Sequence, residues 1–132
     1  MSATATGIRA ISLVCVPVPT EEQDRAIEFY ESIGFEKRTD EPFGGKYRWV
    51  EVYPPEGPTG IALAPPPPGQ ETVEPVLTGI TLRTDDIDAT HAAMKAAGAD
   101  VDAEVSRMGD PIPPMFWFRD PTGHTLMVVE QP

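Results

Sequence analysis

The sequence predicts an α+β fold in which two βαβββ units form a curled eight-stranded mixed sheet around a trough. Two observations predict it. The strand and helix order of the first half begins again after a proline-rich segment, and equivalent residues of the halves recur at similar offsets. Gly34 matches Gly98 at an offset of 64, and Thr20 matches Asp86 at 66. Offsets near half the chain length indicate that one structural unit has been duplicated.

The first unit is predicted over residues 8–64. Its first strand, residues 8–18, is rich in β-branched residues and ends among prolines. A short amphipathic helix follows, in which Thr20 and Gln23 have the spacing of a capping box and Gly34 ends the helical pattern. Three short strands separated by turns then complete the unit, at residues 35–39, Tyr47–Tyr53 and Gly60–Ala64.

Residues 65–76 are predicted to be a connector, because their four consecutive prolines cannot donate hydrogen bonds to a sheet. A semi-rigid link is the plain interpretation, and a proline-rich ligand for another domain is the alternative. The second unit, residues 77–130, then repeats the first. A helix is predicted between Asp86, as its cap, and Gly98, and the predicted strands are Leu77–Thr84, 101–105, Met115–Arg119 and Thr125–Glu130.

Length and charge exclude several classes of protein. At 132 residues the chain is predicted to be one domain, residues 1–132, large enough to bury a core without disulfides. Its formal charge of −11, with no basic cluster, argues against nucleic acid as a partner. One cysteine excludes an intramolecular disulfide, and no apolar stretch approaches the roughly 20 residues that span a bilayer. With no apolar segment of signal-peptide length, we expect a cytoplasmic location and no membrane partner.

Two segments resemble a known family. AIEFYESIGFE at residues 26–36 and FRDPTGHTLMVVE at residues 118–130 are similar to motifs of the vicinal oxygen chelate superfamily. That superfamily contains glyoxalases, extradiol dioxygenases, fosfomycin-resistance enzymes and bleomycin-resistance proteins, and the resemblance spans residues 8–130. It implies the paired βαβββ fold predicted above, with a small-molecule site in the trough.

The resemblance also implies where a metal would be held. Metal-binding members carry one ligand on the first and one on the last strand of each unit, and these positions fall at Leu13, Ala62, Gly79 and Met127. Three of these side chains have no donor atom, and a thioether is too soft for the metals concerned. Shifting the alignment by one residue brings no carboxylate, imidazole or thiolate there. The sequence therefore argues against standard metal-dependent chemistry, and no cofactor is predicted.

Members without the metal bind a drug, often in a cleft formed by a dimer. The resemblance thus implies a homodimer that binds a small organic ligand, sequestering an antibiotic or another aromatic or cationic compound. One alternative is a lyase, isomerase or dioxygenase-like enzyme that uses non-standard residues or a metal displaced to His124, Glu51 or Asp110. Another is a protein whose trough is filled by its own side chains.

The candidate ligand-binding residues follow from strand alternation. Inward positions on the strands would be apolar or aromatic, Arg83 could pair with a ligand carboxylate at the mouth, and the loop at residues 106–114 is either a lid or a plain connector. The candidates are Leu13, Cys15, Trp49, Glu51, Arg83, Met108, Phe116, Phe118 and Met127.

Each candidate has a plain structural alternative. Cys15 is predicted to be a small hydrophobe rather than a reactive thiol, and Arg83 could be a surface arginine. Trp49 and Glu51 share one face of their strand, but the sequence does not say which face is inside. His91 is predicted to pack on the outer side of the sheet, and His124 to be a solvated residue at a turn exit.

Overall fold

The computed structural model describes residues 6–66, 69 and 72–131. The strands are β1 Leu13–Pro17, β2 Glu36–Phe43, β3 Tyr47–Tyr53, β4 Gly60–Ala64, β5 Leu77–Thr84, β6 Asp100–Val101, β7 Met115–Arg119 and β8 Thr125–Glu130; the helices are α1 Gln23–Ser32 and α2 Ile87–Ala96. This order is βαβββ twice, which confirms the predicted fold class. Neither helix, nor any other among these residues, is long and apolar enough to cross a membrane. The predicted connector falls partly outside the described residues.

The eight strands divide equally between two mixed sheets instead of forming one continuous sheet. The first sheet has the order β1-β4-β3-β2 and the second has the order β5-β8-β7-β6. In each sheet the first and last strands of the unit run parallel, and the other pairs are antiparallel. The two units therefore have the same topology, as the repeat in the sequence predicted.

Two predicted strands are too long. β1 begins at Leu13 rather than at residue 8, because its partner β4 is five residues long and begins opposite Leu13, at Gly60. β6 ends at Val101 rather than at residue 105. At the next residue, the Asp102 side-chain carboxylate accepts the Trp117 backbone N–H at 3.3 Å. A backbone carbonyl would accept this hydrogen bond if the strand continued.

The two helix starts differ from each other. Asp86 caps α2 as predicted, accepting the Ala89 N–H at 3.1 Å. The capping box predicted for α1 is wrong, because the Gln23 side chain turns into the first sheet. Its Nε2 donates to the Arg48 and Leu63 carbonyl oxygens, each at 2.9 Å, where β3 and β4 have ceased to pair. Gln23 thus joins two strands beyond the end of their ladder.

One core joins the two halves. The side chains of both sheets that face the helices pack in a single cluster, which includes Val16 and Leu63 from the first half and Phe116 and Leu126 from the second. Helix α1 lies against both sheets, since the Phe29 ring on this helix is 6.2 Å from the ring of Phe118. The two sheets therefore turn their helix-facing sides toward each other and their other sides outward.

A buried hydrogen-bond network crosses the same boundary. The Tyr30 hydroxyl on α1 donates to the Asp120 carboxylate at 2.9 Å, and the other oxygen of that carboxylate accepts the Thr122 and His124 backbone N–H groups. The pKa of Tyr30 is raised far above its ordinary value, mainly by burial and to a smaller extent by the neighbouring Asp120 charge. The phenol therefore keeps its proton.

The prediction of a solvated His124 is wrong, because its side chain is fully buried. The Val76 N–H donates to His124 Nδ1 at 3.1 Å, which makes Nε2 the protonated nitrogen that donates to the Pro17 carbonyl oxygen at 2.7 Å. His124 therefore ties β1 to the segment before β5. His91 packs as predicted, with its ring edge-on to Phe116.

Replacing Tyr30 with Phe should destabilise the fold by about 2 kcal/mol, because a buried charge-assisted hydrogen bond is lost while the Asp120 carboxylate stays buried. Urea unfolding followed by circular dichroism measures the change. Tyr47→Phe is the matched control, since the Tyr47 hydroxyl makes no hydrogen bond with the described residues, and it should shift the midpoint little. Equal stability of the two variants would show that the Tyr30 contact contributes nothing across the two halves.

Candidate functional site

The outward side of the first sheet is the first half of the candidate site. On β3, Val50 and Val52 point into the core, so the residues that alternate with them point outward. Cross-strand partners share a side, which extends the assignment to the neighbouring strands. We call this side the first open face; it consists of Leu13, Cys15, Thr39, Glu41, Trp49, Glu51, Tyr53 and Ala62.

Glu51 is the central polar group of the first open face. One carboxylate oxygen accepts the Trp49 indole N–H at 2.7 Å, and the other accepts the Tyr53 hydroxyl at 2.8 Å. Both donors are neutral, and Glu51 forms no ion pair with the described residues. The carboxylate is thus fixed in position by uncharged donors. Arg38, the cation that lies over the Tyr53 ring, is paired with Glu36 instead, so Glu51 suits a positively charged group on a ligand.

The Tyr53 ring lies directly over β4, and Gly60 makes this possible. A Cβ atom at Gly60 would come within 2.6 to 2.8 Å of the Tyr53 ring, which is closer than side chains pack. The Arg38 guanidinium covers the ring at 4.7 Å from its centroid. Tyr53 is therefore held flat on the sheet, where its hydroxyl meets Glu51.

The outward side of the second sheet is the other half. We call it the second open face; it consists of Leu77, Gly79, Thr81, Arg83, Trp117, Thr125 and Met127. A recess of about 160 Å³ lies on it, lined by these residues except Arg83 and by Ile80 and Leu126. Arg83 is exposed and forms no ion pair with the described residues. This face is thus more apolar than the first and carries an unpaired positive charge.

The structure places the predicted site residues on several surfaces. Four lie on the first open face: Leu13, Cys15, Trp49 and Glu51. Cys15 is exposed there and stands opposite Ala62 on β4, and Ala62 stands opposite Glu51 on β3. Arg83 and Met127 lie on the second open face. Met108 is 60% exposed on the loop at residues 106–114, where the neighbouring Arg107 pairs with Asp88 at 2.6 Å.

Phe116 and Phe118 do not belong to the site. Both are fully buried in the core, where Phe116 packs against His91 and Phe118 packs against Phe29. Their assignment to the trough is wrong because β7 turns its other side outward, and Trp117 occupies the position that they were expected to fill.

Trp117 and Tyr53 were not among the predicted site residues. Trp117 was within reach of sequence reasoning, because β7 and β8 form a hairpin in which Arg119 pairs with Thr125, so that Trp117 falls opposite Met127. Counting residues back from the turn would have placed Trp117 beside Met127, which had been assigned inward. Tyr53 was also within reach, because strand alternation puts it on the same side of β3 as Trp49 and Glu51. Its placement over β4 depends on Gly60, which no local pattern indicated.

The donor atoms of the two faces do not fit the divalent metal that the family resemblance implies. Of the four expected ligand positions, Ala62 lies on the first face next to Glu51, and Met127 lies on the second between Thr81 and Trp117. No group of three or more His, Cys, Asp or Glu side chains that could hold a metal occurs in residues 6–66, 69 and 72–131. Both ring nitrogens of His124 are engaged in the core, and both Glu51 oxygens are hydrogen-bonded.

The Glu51 hydrogen bond, followed by burial and the Glu51 charge, raises the pKa of Tyr53 above its ordinary value of 10.0. Replacing Glu51 with Gln should therefore lower the pKa of Tyr53, because a phenolate would no longer face a carboxylate. Alkaline titration of the Tyr53 NMR resonances measures the change, with Glu56→Gln on an exposed turn as the control. An unchanged Tyr53 titration in Glu51→Gln would mean that the Glu51 contact is absent in solution.

Comparison with known proteins places this geometry in a family. The model of the Glyoxalase/Bleomycin resistance protein/Dioxygenase superfamily matches residues 11–128. A Bacillus subtilis (strain 168) protein, YurT, is 27% identical over 130 residues, which are 92% of this chain and all of that protein.

Two crystal structures are similar along nearly their whole length. TnmS3, an antibiotic binding protein from Streptomyces sp. CB03234, is 30% identical with a TM-score of 0.77, covering 95% of this chain and 98% of that one. A superfamily member from Sphaerobacter thermophilus DSM 20745 is 29% identical with a TM-score of 0.83, covering 95% and 99%. The two repeated units and their sheets are those of this family, and the chain belongs to the glyoxalase/bleomycin resistance protein/dioxygenase superfamily.

Proposed function

We propose that the protein is a metal-free binding protein that sequesters a small aromatic or cationic organic compound, such as an antibiotic. The observation that carries the proposal is the first open face, where aromatic side chains surround a carboxylate hydrogen-bonded only by neutral donors. Aromatic faces and such a carboxylate both attract planar cations. Apolar burial would supply most of the affinity, and Glu51 would set the orientation of the ligand.

We further propose that the complete site lies between two copies of the chain, the first open face of one opposing the second open face of the other. Within one chain the two faces point outward on opposite sides of a shared core. The recess on the second face, about 160 Å³, is smaller than the roughly 300–1,000 Å³ of typical ligand pockets. A homodimer of this kind would enclose a ligand on two sides.

Charge supports this pairing. The first open face carries Glu41 and Glu51, while the second carries Arg83 without a partner among the described residues. Two copies facing each other in this way would bring unlike charges together. Such charges speed the association of the two copies and fix their relative orientation. Exposed apolar residues lie near both faces, with Ile11 at 70% and Leu77 at 74% exposure, and such surface is costly unless a partner covers it.

The relatives support the ligand class. TnmS3, similar to this chain over almost its full length, is described as an antibiotic binding protein. The enzymatic alternative has less support, because both histidines have their side chains hydrogen-bonded to carbonyl groups away from the faces. A cytoplasmic location remains a prediction from the sequence.

A planar aromatic cation, proflavine, should bind more tightly than an aromatic carboxylate of similar size, 9-anthracenecarboxylate, because Glu51 attracts the first and repels the second. Replacing Trp49 or Trp117 with Ala should weaken proflavine binding about tenfold through lost stacking area. Isothermal titration calorimetry measures both effects. Glu104→Gln is the control, because Glu104 is an exposed carboxylate outside both open faces and its removal should leave binding unchanged.

The proposal fails if neither probe, nor any member of a panel of cationic antibiotics and planar aromatics, binds more tightly than millimolar. It fails equally if such compounds are chemically converted by the protein, since sequestration involves no turnover.

A further inference from the structure

We propose that the tip of the hairpin between β2 and β3 is an outer aromatic subsite, which holds a second ring system of an elongated ligand. This inference rests on the proposed function and narrows it, since it names the shape of the compound that the site selects. The subsite consists of Phe43 and Tyr47, which we call the tip pair, together with Lys46.

The tip pair continues the first open face. Phe43 stands opposite Tyr47 in the register of β2 and β3, and Tyr47 is two residues before Trp49, so all three side chains lie on the same side of the sheet. The Phe43 and Tyr47 rings are stacked, with centroids 5.6 Å apart and planes inclined by 29°. Aromatic side chains therefore follow one another along this side of the sheet, from Trp49 beside Glu51 to the end of the hairpin.

The fold itself gives little reason for an aromatic residue at Phe43. Its side chain is 45% exposed and lies outside the core cluster, so it contributes little to the packing of the domain. The Lys46 ammonium lies 5.5 Å from the centroid of the other ring, that of Tyr47. A stacked pair exposed in this way offers a flat surface on which another ring can stack.

The tip is held in place for such a role. Arg48, next to Tyr47, donates to Asp40 on β2 at 2.7 and 3.1 Å and to Asp24 on α1 at 2.7 Å. These hydrogen bonds lower the pKa of Asp40 to about 2, so the pair is intact at neutral pH. The base of the hairpin is thus bound to the body of the domain on the side away from the open face.

The length of the surface sets the length of the ligand. Residues along a strand advance about 3.4 Å each, so the four-residue step from Tyr47 to Glu51 spans about 14 Å. That distance accommodates two aromatic ring systems joined end to end, whereas one compact ring system with its charge at Glu51 would cover Trp49 but not the tip pair. The preferred ligand is therefore an elongated multi-ring cation, with its charge at Glu51 and its far ring at the tip pair.

Two probes of different length test the inference: proflavine, which is short, and a bis-benzimidazole cation, which is elongated. Replacing Phe43 with Ala should weaken binding of the long probe about tenfold and that of the short probe less than twofold. Phe43→Tyr keeps a ring at the tip and should bind both probes as the unmodified protein does. Glu51→Gln should weaken both, because both place their charge at Glu51. Calorimetry measures the affinities, and sedimentation equilibrium of each variant measures self-association.

Equal effects of Phe43→Ala on the two probes, or no effect on either, would overturn the outer subsite and leave the proposed function standing. If Phe43→Ala weakens self-association instead, the tip pair is a contact between copies and the subsite is likewise overturned. If neither probe binds the unmodified protein, this inference is overturned, and the proposed function fails with it unless another compound of the panel binds.

Discussion

The packing of both sheets against α1 determines what the rest of this structure can do. A β-strand turns alternate residues to opposite sides, so burying one side commits every second residue to the core and leaves the others outward. Here the buried sides of the two sheets meet, and the Tyr30–Asp120 hydrogen bond and the Phe29–Phe118 contact fix their relation. The outward sides are consequently left outside this shared core.

This constraint explains the character of the two open faces. In the proposed pairing each face is half of a cleft, and the chemistry of the two faces is complementary rather than repeated. In the central row of the first sheet, Glu51 and Ala62 are neighbours on β3 and β4; the corresponding neighbours on β7 and β8 are Trp117 and Met127. One unit thus supplies a fixed carboxylate beside a small residue, and the other supplies apolar bulk. The two units share one strand order, and their outward side chains differ.

The sequence was sufficient for the repeated topology and for several strand bounds, because apolar alternation, glycine punctuation and internal offsets are local signals. It was insufficient where a side chain has two compatible roles. Gln23 has the spacing of a capping residue, yet it joins β3 to β4, and His124 follows a turn, yet it is buried between β1 and the segment before β5. Those outcomes depend on partners 25 to 107 residues away.

The same limit applies to the site. Strand alternation grouped Trp49 with Glu51 and Phe116 with Phe118, but only tertiary packing decides which group is buried. The helix-facing side of β7 needed large apolar residues to fill the space beside Phe29 and His91, and it took both phenylalanines. The arrangement of the two faces relative to each other could not be predicted either, because it results from contacts between α1 and the second unit.

The central claim, that one site needs two copies, is tested most directly by mixing Trp49→Ala and Trp117→Ala chains and titrating the mixture with proflavine. In a twofold pair of unlike chains, one of the two sites combines the intact first open face of one copy with the intact second open face of the other. Random exchange should therefore restore full affinity to about a quarter of all sites. A mixture that binds no better than the two variants measured separately would place the complete site within a single chain and contradict the account.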